Sequence, residues 1–238
     1  MTRAALAYGV AAAAANVAGA VAVASRTTWT LRALDALLSF AAGFLISVSV
    51  VDLFPDSIAV AGPIAPAVVL LAYLTVHLTQ HTIGRHFHFG EETHSVSEIV
   101  SISALVGLLM HTFVDGVAVA SGLLVSNRLG ALVFVAILLH KFPEGLAISS
   151  LFLAAGAKRG KAILAAAALG AMTIAGVLLT DQWSFLRVYG LAISAGVTLY
   201  VGASNLVPEL QDRPGPRIPL SFVAGCGLYF VARSLARV

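Results

Sequence analysis

Two short motifs in this chain each combine a histidine with an acidic residue. His111 precedes Asp115 by four residues, and His140 precedes Glu144 by the same spacing. On a helix this spacing places both side chains of a pair on one face. Two imidazole nitrogens and two carboxylate oxygens suit Zn²⁺, and also Fe²⁺, Mn²⁺ or Co²⁺, whereas Mg²⁺ and Ca²⁺ prefer oxygen ligands. The motifs therefore predict a site for a divalent transition metal.

The sequence around these motifs is apolar, which makes an unpartnered acid costly. An ionised carboxylate deep in a bilayer costs at least ~2.5 kcal/mol, and a cation between the two helices would offset that cost. Pro143 and Gly145 flank Glu144, and we expect a bend of the helix at this acid. The alternative is that each pair only hydrogen-bonds within a helix bundle, and the presence of two pairs favours a metal.

The composition indicates a membrane protein. Of the 238 residues, 59% are hydrophobic and 11% are charged, whereas a soluble domain has about 25% charged residues. The single cysteine, Cys226, excludes a disulfide scaffold. The 14 basic residues form no patch, so we expect no nucleic-acid partner.

Eight apolar segments predict an all-α integral membrane protein, because only helices of this length satisfy their backbone groups in lipid. The connecting loops are short, so we expect a single transmembrane domain over residues 1–238. The first segment could instead be a cleaved signal peptide, but its apolar run is longer than usual. Lys and Arg residues are more numerous in one set of alternate loops than in the other. Because cytoplasmic loops carry an excess of these residues, we expect both termini to lie outside the cell. The segments are 4–25, 35–58, 62–84, 96–126, 130–157, 161–180, 187–209 and 217–236.

Two internal repeats suggest how the eight spans are arranged. The sequence from His111 to Ala118, HTFVDGVA, resembles HKFPEGLA, which begins 29 residues later in the next span. That span runs in the opposite direction. Asp52-Leu53-Phe54-Pro55-Asp56 resembles Asn205-Leu206-Val207-Pro208-Glu209, 153 residues later, again in an oppositely directed span. The pair formed by spans four and five lies between the members of the other pair, spans two and seven. This order predicts an inverted repeat of three, two and three spans (3+2+3), an architecture typical of secondary transporters, which have their site near mid-membrane.

Further acidic and histidine residues mark a possible path for a cation. Asp52 and Asp56 lie near the outer end of the second span and are candidate entrance residues; the alternative is that they are ordinary interfacial acids. Near the cytoplasmic ends of spans three and seven, the candidate exit residues are His77, His81, Glu209 and Asp212. The third loop, at about 85–95, is expected to be cytoplasmic and to bind metal weakly through His86, His88 and His94.

The sequence resembles the ZIP (Zrt/Irt-like) metal transporters. The resemblance rests on HTFVDG in the fourth span, HKFPEG in the fifth, and eight spans with a histidine-bearing loop after the third. It implies a dimeric importer in the cell membrane that carries Zn²⁺, or alternatively Fe²⁺, Mn²⁺ or Cd²⁺, into the cytoplasm. On this resemblance the four metal ligands are His111, Asp115, His140 and Glu144. The metal is then a substrate rather than a cofactor.

Two residues depart from the pattern of family members that hold two metals. Such members usually have Asn after the first histidine and an acid after the second, where this chain has Thr112 and Lys141. A fixed ammonium would repel a second cation, so we expect a single-metal site. Lys141 either pairs with Asp115 or Glu144 in place of the missing ion or extends into a water-filled cavity.

Two other functions use the same residues. A proton or other-ion transporter could use the acids and histidines as a relay. An intramembrane zinc hydrolase could use Glu144 as a base, but no HExxH motif is present and an inverted repeat has no evident use in hydrolysis. We therefore expect a transporter and not an enzyme.

Overall fold

The computed structural model describes residues 3–25, 31–82, 98–208 and 215–235. Within these ranges the chain is helical apart from short turns, in agreement with the all-α prediction. The α-helices are α1 (Arg3–Ala24), α2 (Leu31–Val48), α3 (Phe54–Ala61), α4 (Ala65–Thr82), α5 (Glu98–Val125), α6 (Asn127–Ala154), α7 (Arg159–Gln182), α8 (Ser184–Leu199) and α9 (Arg217–Leu235).

Seven helical stretches of the described residues are long and apolar enough to cross a membrane. One of them, Asp35–Thr79, is 45 residues long and comprises all of α3 and most of α2 and α4. A turn interrupts it at Gly62, which has a φ of 71° and begins the 3₁₀ segment Gly62–Ile64. Few residues other than glycine adopt this backbone conformation, so the glycine ends α3 before α4 begins.

The helices pack mainly within two groups. Helices α1, α5, α6 and α7 contact one another most extensively, and α2, α3, α4, α8 and α9 form the second group. The two groups meet chiefly where α5 packs against α8 and where α2 packs against α6. Both helices that carry the His–acid motifs, α5 and α6, therefore belong to the first group.

Two π-helical segments, Ser49–Leu53 and Tyr200–Leu206, extend α2 and α8. Each ends on the first two residues of one of the sequences that echo each other 153 residues apart, at Asp52-Leu53 and Asn205-Leu206. The first packs against α8 and the second against α2, and the Ser49 hydroxyl donates to the Ala195 carbonyl at 2.8 Å. These segments were not predicted from the sequence, because π-helical turns are rare and short.

Candidate functional site

Helices α5 and α6 form an antiparallel hairpin with a single residue, Ser126, between them. The Ser126 hydroxyl accepts a hydrogen bond from the Leu129 amide at 3.1 Å and caps the start of α6. Ser126 lies almost midway in sequence between His111 and His140, so the hairpin brings the two histidines to similar depth. Their ring centroids are 5.6 Å apart.

This hairpin gathers the four residues of the His–acid motifs into one cluster. His111, Asp115, His140 and Glu144 each offer a ligand atom, and these atoms all lie within 4.8 Å of one another. Asp115, His140 and Glu144 are buried, and the side chain of His111 is 13% exposed. Nε2 of each histidine lies 3.4 Å from Oδ2 of Asp115. The cluster has the donor set and the compactness of a site for one transition-metal ion.

Hydrogen bonding sets the orientation of the His140 ring. Its Nδ1–H donates to the Ala136 carbonyl at 3.0 Å, which leaves Nε2 towards Asp115. Metal-binding histidines commonly donate their second ring nitrogen to a carbonyl in this way. His111 differs, because its buried Nδ1 has no hydrogen-bond partner.

Lys141 contacts both acids of the cluster. Its ammonium lies 2.6 Å from Oδ2 of Asp115 and 2.7 Å from Oε2 of Glu144, and its side chain is fully buried. The sequence left open whether Lys141 would pair with one acid or extend into a cavity, and the structure pairs it with both. Thr112 donates its hydroxyl to the Leu109 carbonyl of its own helix, at 3.1 Å.

Two glycines beside the acids allow neighbouring helices to approach closely. A Cβ atom on Gly116 would collide with the Thr173 carbonyl of α7, and one on Gly145 would collide with the Asn16 carbonyl of α1. Each glycine directly follows an acid of the cluster, so α1 and α7 pack against the motifs themselves. Helix α6 continues through Pro143, and the bend expected there stays a prediction.

The proposed entrance acid Asp52 is buried and has three partners. Its Oδ2 accepts a hydrogen bond from the Tyr229 hydroxyl at 2.5 Å, and its Oδ1 accepts one from Nε of Arg233 at 3.0 Å. A guanidinium nitrogen of Arg128 lies 3.8 Å from the same Oδ1. Asp56, one helical turn further along, is half-buried. These contacts were not predicted from the sequence. A signal was present, because Arg128 and Arg233 lie at the ends of apolar spans, where a charged side chain usually pairs with one of opposite charge.

The other predicted site residues are only partly described. His77 is half-buried in α4, with its ring 5.9 Å from that of Tyr200. His81 lies in the same helix, but its side chain falls outside the description. Outside the described residues altogether lie Glu209, Asp212, His86, His88 and His94.

Taken together, the fold and the cluster define a class: an all-helical membrane protein with a buried group of metal-ligating side chains. The family model of the ZIP zinc transporters matches residues 75–231, which include both His–acid motifs. The chain belongs to this family, whose members are transporters of divalent metal ions and not enzymes. No individual curated protein matches the chain significantly.

Proposed function

We propose that this protein imports divalent transition-metal ions, foremost Zn²⁺, into the cytoplasm through a single site between α5 and α6. The observation that carries the proposal is the cluster of His111, Asp115, His140 and Glu144, with ligand atoms within 4.8 Å of one another. A set of two nitrogens and two oxygens favours Zn²⁺ and its first-row neighbours, with Fe²⁺, Mn²⁺ and Cd²⁺ as further substrates.

The position of Lys141 supports one metal rather than two. Its ammonium contacts an oxygen of both acids, so a second cation beside the first would meet a fixed positive charge in a medium of low dielectric constant. In the absence of metal, the same ammonium balances part of the negative charge of Asp115 and Glu144. An arriving ion therefore competes with Lys141 for these oxygens.

We further propose that a single transmembrane domain of eight helices forms a 3+2+3 inverted repeat. Two features support this proposal: the turn at Gly62 divides the longest apolar stretch into two, and both π-helical segments end at equivalent positions of the echoing sequences, Leu53 and Leu206. We also propose that the protein is a homodimer in the cell membrane, with both termini outside. Metal enters past Asp56 and the Asp52 network and leaves towards the cytoplasm near His77, His81, Glu209 and Asp212.

Transport is tested with purified protein in liposomes that contain a zinc-sensitive dye. We expect Zn²⁺-dependent fluorescence from the wild type and its loss in His111→Ala and Glu144→Ala, because each variant removes one of four ligands. Thr173→Val is the matched control: Thr173 is fully buried in α7, and within the described part of the chain its hydroxyl bonds only to Leu169 of its own helix.

The same liposomes separate the alternatives when they also carry a pH-sensitive dye. Proton flux without metal flux would contradict the proposal and favour a relay of acids and histidines. Undiminished Zn²⁺ uptake by both ligand variants would show that the ion crosses elsewhere.

A further inference from the structure

Asn16 is a polar side chain in the middle of α1, a helix otherwise composed largely of alanine, glycine and valine. It is fully buried, and among the described residues neither its amide nitrogen nor its amide oxygen has a hydrogen-bond partner. An amide that is buried without partners is costly, so a group of this kind in a native protein calls for an explanation. The known explanations are local strain, a role in function, or a water molecule or ion at the site.

The position of Asn16 relates it to the metal-ligand cluster. The Cα atom of Asn16 lies 2.8 Å from the point that a Cβ on Gly145 would occupy, and Gly145 directly follows Glu144. Glu144 has the complementary deficiency: Oε2 accepts from Lys141, whereas Oε1 is buried without a partner. A donor and an acceptor that both lack partners thus lie on neighbouring, closely packed segments of α1 and α6.

We propose that Asn16 is a positioning residue of the transport path, and that it binds a water molecule which links its amide to Oε1 of Glu144. This water leaves or enters with the metal ion during its passage. The inference rests on the proposed function, because it assigns Asn16 to the same site. Hydrogen bonds to the outer oxygen of a metal-binding carboxylate fix its orientation and tune its affinity.

A purely structural role for Asn16 predicts normal Zn²⁺ uptake by the variant Asn16→Leu. Leucine has a similar size and no polar atoms, so Asn16→Leu would remove an unsatisfied amide and leave stability unchanged or increased. If Asn16 positions Glu144 through water, the same variant keeps its melting temperature but loses Zn²⁺ uptake by about tenfold or more, the usual effect of losing such a partner. Asn16→Ala serves for this comparison if Asn16→Leu does not accumulate.

Water access to Asn16 is measured by cysteine labelling in a Cys226→Ser background. We expect Asn16→Cys to react with a small cationic methanethiosulfonate reagent, and Zn²⁺ to slow the reaction. Ala12→Cys is the matched control, because Ala12 lies one turn away on the same buried face and belongs to an apolar cluster with Ala5 and Val177. We expect this control to remain unlabelled.

The inference is overturned if Asn16→Cys is as unreactive as Ala12→Cys, if Zn²⁺ gives no protection, or if Asn16→Leu transports normally. These results leave the proposed function intact so long as His111→Ala and Glu144→Ala still abolish uptake. The proposed function fails separately, when those two ligand variants transport Zn²⁺ like the wild type.

Discussion

At the scale of single residues, one carboxylate oxygen organises the site. Oδ2 of Asp115 is approached by nitrogens from His111, His140 and Lys141, at 3.4, 3.4 and 2.6 Å. Three nitrogens converge on one anionic oxygen because two antiparallel helices present them at the same depth. The ammonium of Lys141 is the closest of the three, so under the proposed function it is the group that an incoming metal ion has to displace.

Removal of this ammonium is expected to strengthen metal binding. At about 4 Å and an effective dielectric constant of about 20, two unit charges interact by about 4 kcal/mol, and about 1.4 kcal/mol corresponds to a tenfold change in affinity. We therefore expect Lys141→Gln to bind Zn²⁺ about tenfold more tightly or better, measured by competition with a chelating dye in detergent. Slower release should accompany the tighter binding.

The control for this variant is Lys161→Gln, which removes the same charge from the exposed start of α7. Its affinity for Zn²⁺ should equal that of the wild type. Weaker binding by Lys141→Gln would mean that the ammonium holds the two acids in place for the metal rather than competing with it.

At the scale of helices, close packing beside the acids positions the ligands. Gly145 lies against the backbone of α1, and Gly116 lies against that of α7. A methyl group at either position collides with backbone atoms, which cannot rotate away as a side chain can. The ligand-bearing helices α5 and α6 are therefore held in register by contacts that no larger residue would permit.

The substitution Gly145→Ala tests this packing. An overpacked interior typically costs about 1–3 kcal/mol, so we expect a lower melting temperature and reduced Zn²⁺ uptake. Gly107→Ala is the control, since a Cβ on this glycine in α5 would meet no atom within 4 Å. It should be neutral or slightly stabilising, because alanine favours a helix more than glycine does. Equal effects of the two variants would argue against close packing as the cause.

The contacts of Asp52 join three helical segments at one end of the molecule. Tyr229 and Arg233 belong to α9, and Arg128 belongs to the start of α6. A hydrogen bond to a charged group contributes about 1.5–3 kcal/mol, so Tyr229→Phe should lower the melting temperature of the detergent-solubilised protein. Ser234→Ala is a suitable comparison, because the Ser234 hydroxyl is exposed and bonds only to Val231 of its own helix. A melting temperature unchanged by Tyr229→Phe would show that the two arginines suffice for Asp52.

At the scale of the whole molecule, the site lies within one group of helices, close to the second group. Helices α1, α5, α6 and α7 surround the cluster, and α2 and α8 of the second group border the ligand-bearing helices. The proposed 3+2+3 inverted repeat has an even number of spans, so both ends of the chain should emerge on the same side of the membrane.

The positions of the termini are tested by cysteine labelling in intact cells. In a Cys226→Ser background, Thr2→Cys and Val238→Cys should both react with a membrane-impermeant maleimide if both termini lie outside, as we propose from the distribution of Lys and Arg. Lys158→Cys, in the turn between α6 and α7, should react only after the cells are permeabilised. Labelling of only one terminus would rule out an even number of spans.

The sequence by itself determined the helical class and predicted the four side chains that the structure gathers into a cluster able to hold a metal ion. Apolar runs of membrane length permit only helices in lipid, and the four-residue spacing of His111 and Asp115, repeated in the next span, places ligands on one helical face. These are local properties of the chain, so no knowledge of distant contacts was needed to predict them.

Only the tertiary structure decided which residues contact the acids of the cluster and Asp52. Lys141 contacts both acids, Tyr229 and the two arginines meet Asp52 across a large separation in sequence, and Asn16 lies beside Gly145. Such pairings depend on which helix faces which and at what depth. Apolar helices of similar composition offer many arrangements of nearly equal energy, and the selection is made by close packing and by the need of each buried polar group for a partner.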